Sequence, residues 1–97
     1  MKITSKPFHY LSSDGYDIYV GKNNYQNEEL TFKFATGNDW WFHAKGAPGS
    51  HVIVKAGQGL PPDRTFEEAA RLAAWYSSHR GADKVEVDYV EKKQVKK

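Results

Sequence analysis

Short runs in which apolar and polar residues alternate recur along this chain, and they predict a domain built mainly of β-strands. Two other segments have the apolar spacing of helices, a short one at residues 28–35 and a longer one between Thr65 and Gly81. The order β-β-α-β-β-α-β predicts a single α+β domain with a mainly antiparallel sheet. Five runs have the length and period of strands: residues 8–13, 16–20, 39–45, 51–55 and 84–90.

The first two predicted strands are joined by Asp14-Gly15. Asp-Gly between apolar runs is typical of a type I′ hairpin turn, in which both central residues have positive φ. Pairing about that turn places Leu11 opposite Ile18.

The short helix is expected to begin after Asn27, which is a good N-cap residue. Leu30 and Phe34 lie four residues apart and would share its buried face. Residues 31–34 also alternate as a strand would, so the pattern leaves that alternative open.

The central strands flank a connector at residues 46–50, where glycine and proline favour a turn. Antiparallel pairing about Pro48 places Lys45 opposite His51 and Trp41 opposite Lys55. One face of this hairpin is apolar and is expected to lie in the core: Phe42, Ala44, Val52 and Val54. The other face groups aromatic, imidazole and ammonium side chains: Trp41, His43, Lys45, His51 and Lys55.

The longer helix carries the clearest local signals in the chain. Thr65 followed by Glu68 has the spacing of a capping box, and Gly81 is suited to end the helix. Trp75 and His79 are expected to pack at its edge. Its apolar stripe is rich in alanine and is expected to approach a sheet closely: Phe66, Ala69, Ala70, Ala73 and Tyr76, with Leu72 beside it.

Length, charge and cysteine content indicate the number of domains, the kind of nucleic-acid binding to expect and the location of the protein. With 97 residues the chain forms one domain, and we expect a linker at residues 1–7, the domain at 8–91 and a lysine-rich tail at 92–97. The net charge is only +2, so nucleic-acid binding would depend on local clusters of charge, strengthened by histidine protonation below about pH 6.5. The chain has no cysteine and no long apolar run, so a cytoplasmic location is expected.

The polar face of the central hairpin is the main candidate for function, because aromatic planes, imidazoles and ammonium groups suit RNA. Gly21 and Lys22 bring a backbone N–H and a cation together, which suits phosphate. Nearby amides can bond base edges or sugar hydroxyls: Asn23, Asn24 and Asn27. The alternatives are structural, since such rings commonly pack in interiors and asparagines commonly cap helices.

Motifs for catalysis or metal binding are lacking in the sequence. It contains no Ser-His-Asp order, P-loop or His-Glu-x-x-His motif. His43 and His51 could approach one metal ion, but Asp39 is their one evident acidic co-ligand. We therefore expect no cofactor, no metal and no catalytic activity.

Three ordered motifs carry a family resemblance. They read Asp14-Gly15, then Val20-Gly21-Lys22-Asn23-Asn24-x-Gln26-Asn27-x-x-Leu30-Thr31, then Asp39-x-Trp41-Phe42-His43-x-Lys45-Gly46-x-Pro48-Gly49-Ser50-His51-Val52-Ile53. Over residues 14–90 the chain resembles the NFACT-R domain, the RNA-binding domain near the C-terminus of RqcH/NEMF-type proteins, often labelled fibronectin-binding proteins. The resemblance implies a role in ribosome-associated quality control, with tRNA and the large ribosomal subunit as partners.

The resemblance also implies site residues. The first site motif is matched by Gly21, Asn23, Asn24 and Asn27. The second is matched by His43, Lys45, Gly49, Ser50 and His51. Gly46 stands where many members have an acidic residue, so this loop carries less charge. The larger N-terminal and coiled-coil regions of the family lie outside these 97 residues, so tailing of nascent chains is not expected of the domain by itself.

We therefore predict a non-catalytic RNA-binding domain that is monomeric. Two alternatives remain open: an RNA-modifying enzyme that uses His43 or His51 for acid–base chemistry, and an extracellular adhesin that binds fibronectin. The predicted RNA-binding residues are Gly21, Lys22, Asn23, Asn24, Asn27, Trp41, His43, Lys45, Gly49, Ser50, His51 and Lys55.

Overall fold

The computed structural model describes residues 6–57 and 59–96. Its strands form one five-stranded antiparallel sheet. The strands are β1 Phe8–Leu11, β2 Asp17–Val20, β3 Trp40–Ala44, β4 Val52–Val54 and β5 Val87–Glu91. The helices are α1 Asn24–Glu29, continuing as a π-helical segment Leu30–Phe34, then α2 Asp63–Trp75 and a 3₁₀ turn Lys92–Gln94. The strands lie in the order β1-β2-β4-β3-β5. The predicted α+β class and element order are confirmed.

One face of the sheet is covered by α2, whose apolar stripe carries small residues. Ala69 and Ala73 are fully buried against the strands, and larger side chains such as Phe66 and Tyr76 pack around them. Alanine at the contact lets the helix backbone lie close to the sheet. The predicted core face of the central hairpin is confirmed, since these residues are all fully buried: Phe42, Ala44, Val52 and Val54.

The opposite face is covered by the helical segment that follows β2. Leu30 and Ala35 pack on Ile53 of β4, with Phe34 and Trp41 half-buried beside them. The shared buried face of Leu30 and Phe34 is thus confirmed. Because β4 is covered on both sides, it reads Val-Ile-Val without a polar residue.

The β1–β2 hairpin differs from its predicted register by one residue. Tyr10 lies opposite Ile18, where Leu11 was expected. The N–H of Gly15 donates to the carbonyl of Ser12 at 2.9 Å, and Gly15 is the one residue of the turn with positive φ, 87°. This pattern matches a type I turn followed by a left-handed glycine, which needs one more residue than the expected type I′ turn.

The β3–β4 pairing differs from its predicted register by two residues. Trp41 lies opposite Ile53, where Lys55 was expected. Gly46 has a φ of 68° just after β3, so the chain turns before it reaches Pro48. Because the shift is an even number of residues, every side chain keeps its predicted face.

The first helix begins earlier than predicted because a different asparagine caps it. The Oδ1 of Asn23 accepts the backbone N–H of Gln26 at 2.9 Å, and α1 begins at the next residue, Asn24. Asn27, the expected cap, lies within the helix and is buried. Its side chain is therefore free to bond elsewhere in the fold.

The predicted capping box at the start of the second helix is wrong. Pro62 is the N-cap and makes no side-chain cap bond. Thr65 lies inside the first turn of α2 and donates its hydroxyl proton to Ser12 Oγ at 2.9 Å. Glu68 accepts the N–H of Ser13 at 2.8 Å. The two predicted capping residues instead connect α2 to the β1–β2 turn.

The second helix is also shorter than predicted. It ends at Trp75, because the residues beyond bond to the connector, where the Ser78 N–H donates to the carbonyl of Pro48 at 2.9 Å. Gly81 has a φ of 91° and lies beyond the helix. The last strand begins at Val87 rather than residue 84.

The described part of the lysine-rich C-terminal segment packs on the domain. The N–H of Lys92 donates to the carbonyl of Asp39 at 2.8 Å, and its ammonium lies 5.9 Å from the Phe32 ring centroid. Residues 1–5 of the expected linker and Lys97 lie outside the described residues, so the domain boundaries stay a prediction. In the described ranges, no helix combines the length and hydrophobicity needed to cross a membrane.

The carboxylate of Asp39 holds the start of β3 in place. It is 1% exposed, and it bonds the Lys55 ammonium at 2.5 Å, the Thr36 N–H at 2.8 Å and the Ala56 N–H at 3.0 Å. A buried carboxylate requires such partners, because burial removes its hydration. Lys55, which was expected to meet phosphate, is therefore held by an internal ion pair.

We predict that Lys55→Met lowers the free energy of unfolding by about 3 kcal/mol, because it leaves the buried Asp39 carboxylate without its counter-ion. Urea denaturation would measure the change. The matched control is Lys33→Met at an exposed lysine, which should shift stability by less than about 0.5 kcal/mol. Equal stability of the two variants would contradict the structural role of Lys55.

Candidate nucleic-acid interface

Asn27 joins the loop after β2 to the connector before β4. Asn27 is 6% exposed; its Oδ1 accepts the His51 N–H at 3.0 Å, and its Nδ2 donates to the Gly49 carbonyl at 3.4 Å. Gly21 lies against this amide so closely that a Cβ would stand 2.1 Å from Asn27 Oδ1. The lack of a side chain at Gly21 therefore leaves room for the Asn27 amide, whose hydrogen bonds lie inside the domain.

Gly49 makes a similar close approach on the side of α2. A Cβ there would stand 3.0 Å from Ser77 Cα. Next to it, the Ser50 N–H donates to the Tyr76 carbonyl at 3.0 Å. These contacts dock the connector onto the C-terminal end of α2, which gives a structural reason for glycine in the second motif.

Trp41, His43 and His51 form a ring cluster on the face covered by the helical segment. Trp41 and His43 stack with their centroids 5.8 Å apart and 12° between planes, and His51 meets both rings edge-on at 5.4 and 5.5 Å. Thr31 Oγ1 hydrogen-bonds His51 Nδ1 at 2.7 Å and fixes that ring. The three rings share one face, as expected from the sequence pattern.

The imidazole of His51 is uncharged at neutral pH. Burial, together with the charge of the neighbouring His43, lowers the pKa of His51 to about 4. The histidine protonation that was expected to strengthen a basic patch below about pH 6.5 therefore does not extend to His51. A neutral imidazole offers one donor and one acceptor, so His51 is suited to hydrogen bonding rather than to pairing with phosphate.

The lysines expected to meet phosphate have different surroundings. Lys55 is held by the buried carboxylate described above. Lys45 has 61% of its side chain exposed and pairs with Glu86 at 3.7 Å, a contact of little strength at a surface. The Lys22 ammonium lies 4.9 Å from the Phe8 ring centroid and is exposed. Lys22 and Lys45 remain accessible to an anion.

A polar crevice of about 300 Å³ opens where the two motif segments meet the end of α2. The sequence pattern predicted two of its walls but missed the third, Ser77 and Ser78, because the helix was expected to continue to Gly81. Thr31, which fixes His51, was missed as well, although it belongs to the motif at residues 20–31. Its polar lining includes Lys22, Asn23, Asn24, Ser50 and Ser78.

This combination of features is typical of one domain family: a five-stranded sheet covered by helices on both faces, and two glycine-containing motifs that converge. The chain belongs to the family described as NFACT protein RNA binding domain, whose profile matches residues 6–97. The predicted family membership is thereby confirmed.

Individual relatives are much longer than this chain. It is 52% identical over 89 residues to the Rqc2 homolog RqcH of Streptococcus pneumoniae, an alignment that covers 91% of the chain and 16% of that protein. For RqcH of Bacillus subtilis the identity is 44% over 88 residues, covering 91% and 15%. The chain thus spans about one sixth of these relatives.

A solved structure has the same fold. It is the C-terminal part of the fibronectin/fibrinogen-binding protein from Streptococcus suis, with a TM-score of 0.90 and 46% identity. The match covers all of this chain and 39% of that one.

We predict that Gly21→Ala destabilises the domain by more than about 1 kcal/mol, because its Cβ would overlap Asn27 Oδ1. Removing the amide with Asn27→Ala should relieve part of that overlap, so the double variant should lose less stability than the sum of the single variants. Chemical denaturation of all three would measure this coupling. Gly59→Ala, where a Cβ meets nothing within 4 Å, is the control. Strict additivity would contradict the pairing.

We predict that the stability of the domain falls as the pH drops from about 6.5 to about 4. The unfolded state takes up a proton at His51 near pH 6.5, whereas the folded state resists protonation until about pH 4. NMR titration of the imidazole would give the midpoint, and unfolding at each pH would give the stability. His51→Gln should remove this part of the pH dependence, whereas the exposed control His79→Gln should retain it. A His51 midpoint near 6.5 would contradict the prediction.

Proposed function

We propose that this domain binds RNA, with tRNA or ribosomal RNA as the ligand, through the polar crevice and the ring cluster together. The observation that supports this most strongly is the convergence of residues 21–27 and 49–51, which are distant in sequence but joined by the side chain of Asn27. Family membership agrees with it, since the family is described by RNA binding.

The ring cluster is suited to bases rather than to phosphates. His43 ends a stack that Trp41 supports, and the indole N–H of Trp41 is buried without an acceptor among the described residues. An unpaired base can extend such a stack on the outer side of His43. Lys22 and Lys45 then supply cations for the neighbouring phosphates.

We propose that the domain serves ribosome-associated quality control, by analogy with the RqcH relatives. In this role it acts in the cytoplasm as a monomeric, non-catalytic module that holds RNA for a larger assembly. RNA binding does not require the acid–base groups of an enzyme, and the half-buried, neutral His51 is poorly suited to shuttle protons at neutral pH.

Binding of fluorescently labelled tRNA at several salt concentrations would test the proposal. Each phosphate contact to an unpaired strand contributes about 0.7 to the log–log salt slope, so Lys22 and Lys45 predict a slope of roughly −1.4. Lys45→Ala should weaken binding and bring the slope to about −0.7, whereas Lys33→Ala should change both much less.

Other outcomes would favour the alternative functions. Binding of fibronectin without any binding of RNA would contradict the proposal and support an adhesin. An altered RNA product that disappears in His43→Ala would show that the domain is an enzyme.

A further inference from the structure

We propose that the polar crevice binds the sugar–phosphate unit of a single unpaired nucleotide, and that Ser78 at the end of α2 contacts it. This inference rests on the proposed RNA-binding function and specifies which part of the RNA the crevice takes. It adds a third wall, from residues beyond the two sequence motifs, to the binding surface.

The charge of the crevice is suited to an anion. Lys22 is the one charged residue that lines the crevice within the described chain, and no carboxylate lines it there. The other lining groups include amides, hydroxyls and backbone, which donate and accept hydrogen bonds, together with the rings of Pro48 and Tyr76. A phosphate placed here meets an ammonium without facing a like charge.

The ring cluster, unlike the crevice, has carboxylates close to it. Asp88 lies opposite His43 in the β3–β5 register, and Lys45 already pairs with Glu86. The charge of Glu28 also acts on His51, whose pKa it tends to raise. Carboxylates near the rings therefore weaken the attraction of this side for phosphate. The crevice suits the sugar–phosphate unit better and the rings suit a base, with Lys45 left to contact a neighbouring phosphate.

Three polar side chains in the crevice have no internal partner. The amide of Asn24 and the hydroxyls of Ser50 and Ser78 make no hydrogen bond with any described residue. Their backbones are nevertheless held in place, since the N–H groups of Ser50 and Ser78 bond to Tyr76 and Pro48. Fixed backbones with unused donors and acceptors form a binding site that needs little reorganisation.

The crevice is large enough for a single nucleotide unit. Its volume of about 300 Å³ is at the lower end of the roughly 300–1,000 Å³ that small-molecule sites occupy. One nucleotide unit fits such a space. Hydroxyl and amide partners for the ribose 2′-OH should also make the crevice prefer RNA to DNA.

NMR of the ¹⁵N-labelled domain, titrated with a six-nucleotide oligouridine and with its deoxy counterpart, would test the proposal. The oligouridine should shift the amide signals of Asn24, Ser50 and Ser78, and it should bind several-fold more tightly than the deoxy strand. Asn24→Ala and Ser78→Ala should each weaken oligouridine binding by about 2- to 10-fold and reduce the preference for RNA. Asn38→Ala, at an exposed amide in the turn before β3, is the matched control.

The outcomes separate this inference from the function on which it rests. Unchanged oligouridine affinity in both variants, with normal binding by the parent chain, would overturn the crevice and leave RNA binding intact. Equal affinity for the two strands would overturn the ribose contact. If neither tRNA nor oligouridine binds the folded domain, the proposed function itself is overturned. Each variant should unfold at the same urea concentration as the parent chain, so that a loss of binding is not caused by unfolding.

Discussion

The buried amide of Asn27 is the interaction on which the proposed binding surface depends. One side chain bonds the backbone on both sides of Ser50 and thereby fixes the connector against the first helix. Gly21 is required because the amide fills the space of a side chain there, and Gly49 is required because the same connector presses on α2. Glycines in two different motifs are therefore required by the close packing of one connector.

Electrostatics divides this surface into two parts despite the small net charge of the chain. Carboxylates on β5 and on the first helix lie near the rings, and burial keeps His51 neutral. Lys22 lies on the other side, among hydroxyls and amides. A molecule with a net charge of +2 can thus present a cationic site next to a neutral one, because local placement rather than total charge determines the field near a ligand.

The sequence was sufficient for the element order and for the core face of the central hairpin, because both depend on periodicity. The sequence alone could not decide between two residues that satisfy the same local rule. Asn23 and Asn27 were both suitable N-caps for the first helix, and Asn23 caps it in the structure. Local rules also failed for Thr65 and Glu68, whose partners lie more than fifty residues away. The sequence also gave no sign of the ion pair between Lys55 and the buried Asp39. Such partners depend on tertiary packing, which no local pattern contains.

The π-helical segment has a consequence for variation in this domain. Its hydrogen bonds span five residues, as from Ala35 N–H to the Leu30 carbonyl, so it holds one residue more than α-helical spacing would. Deleting a residue there would restore α-helical spacing and turn one end of the segment by about 100° relative to the other. Either Thr31 would leave His51, or Phe34 would leave Tyr19. A change of length in a helix could thus reorient an imidazole of the ring cluster without any substitution in the proposed binding surface.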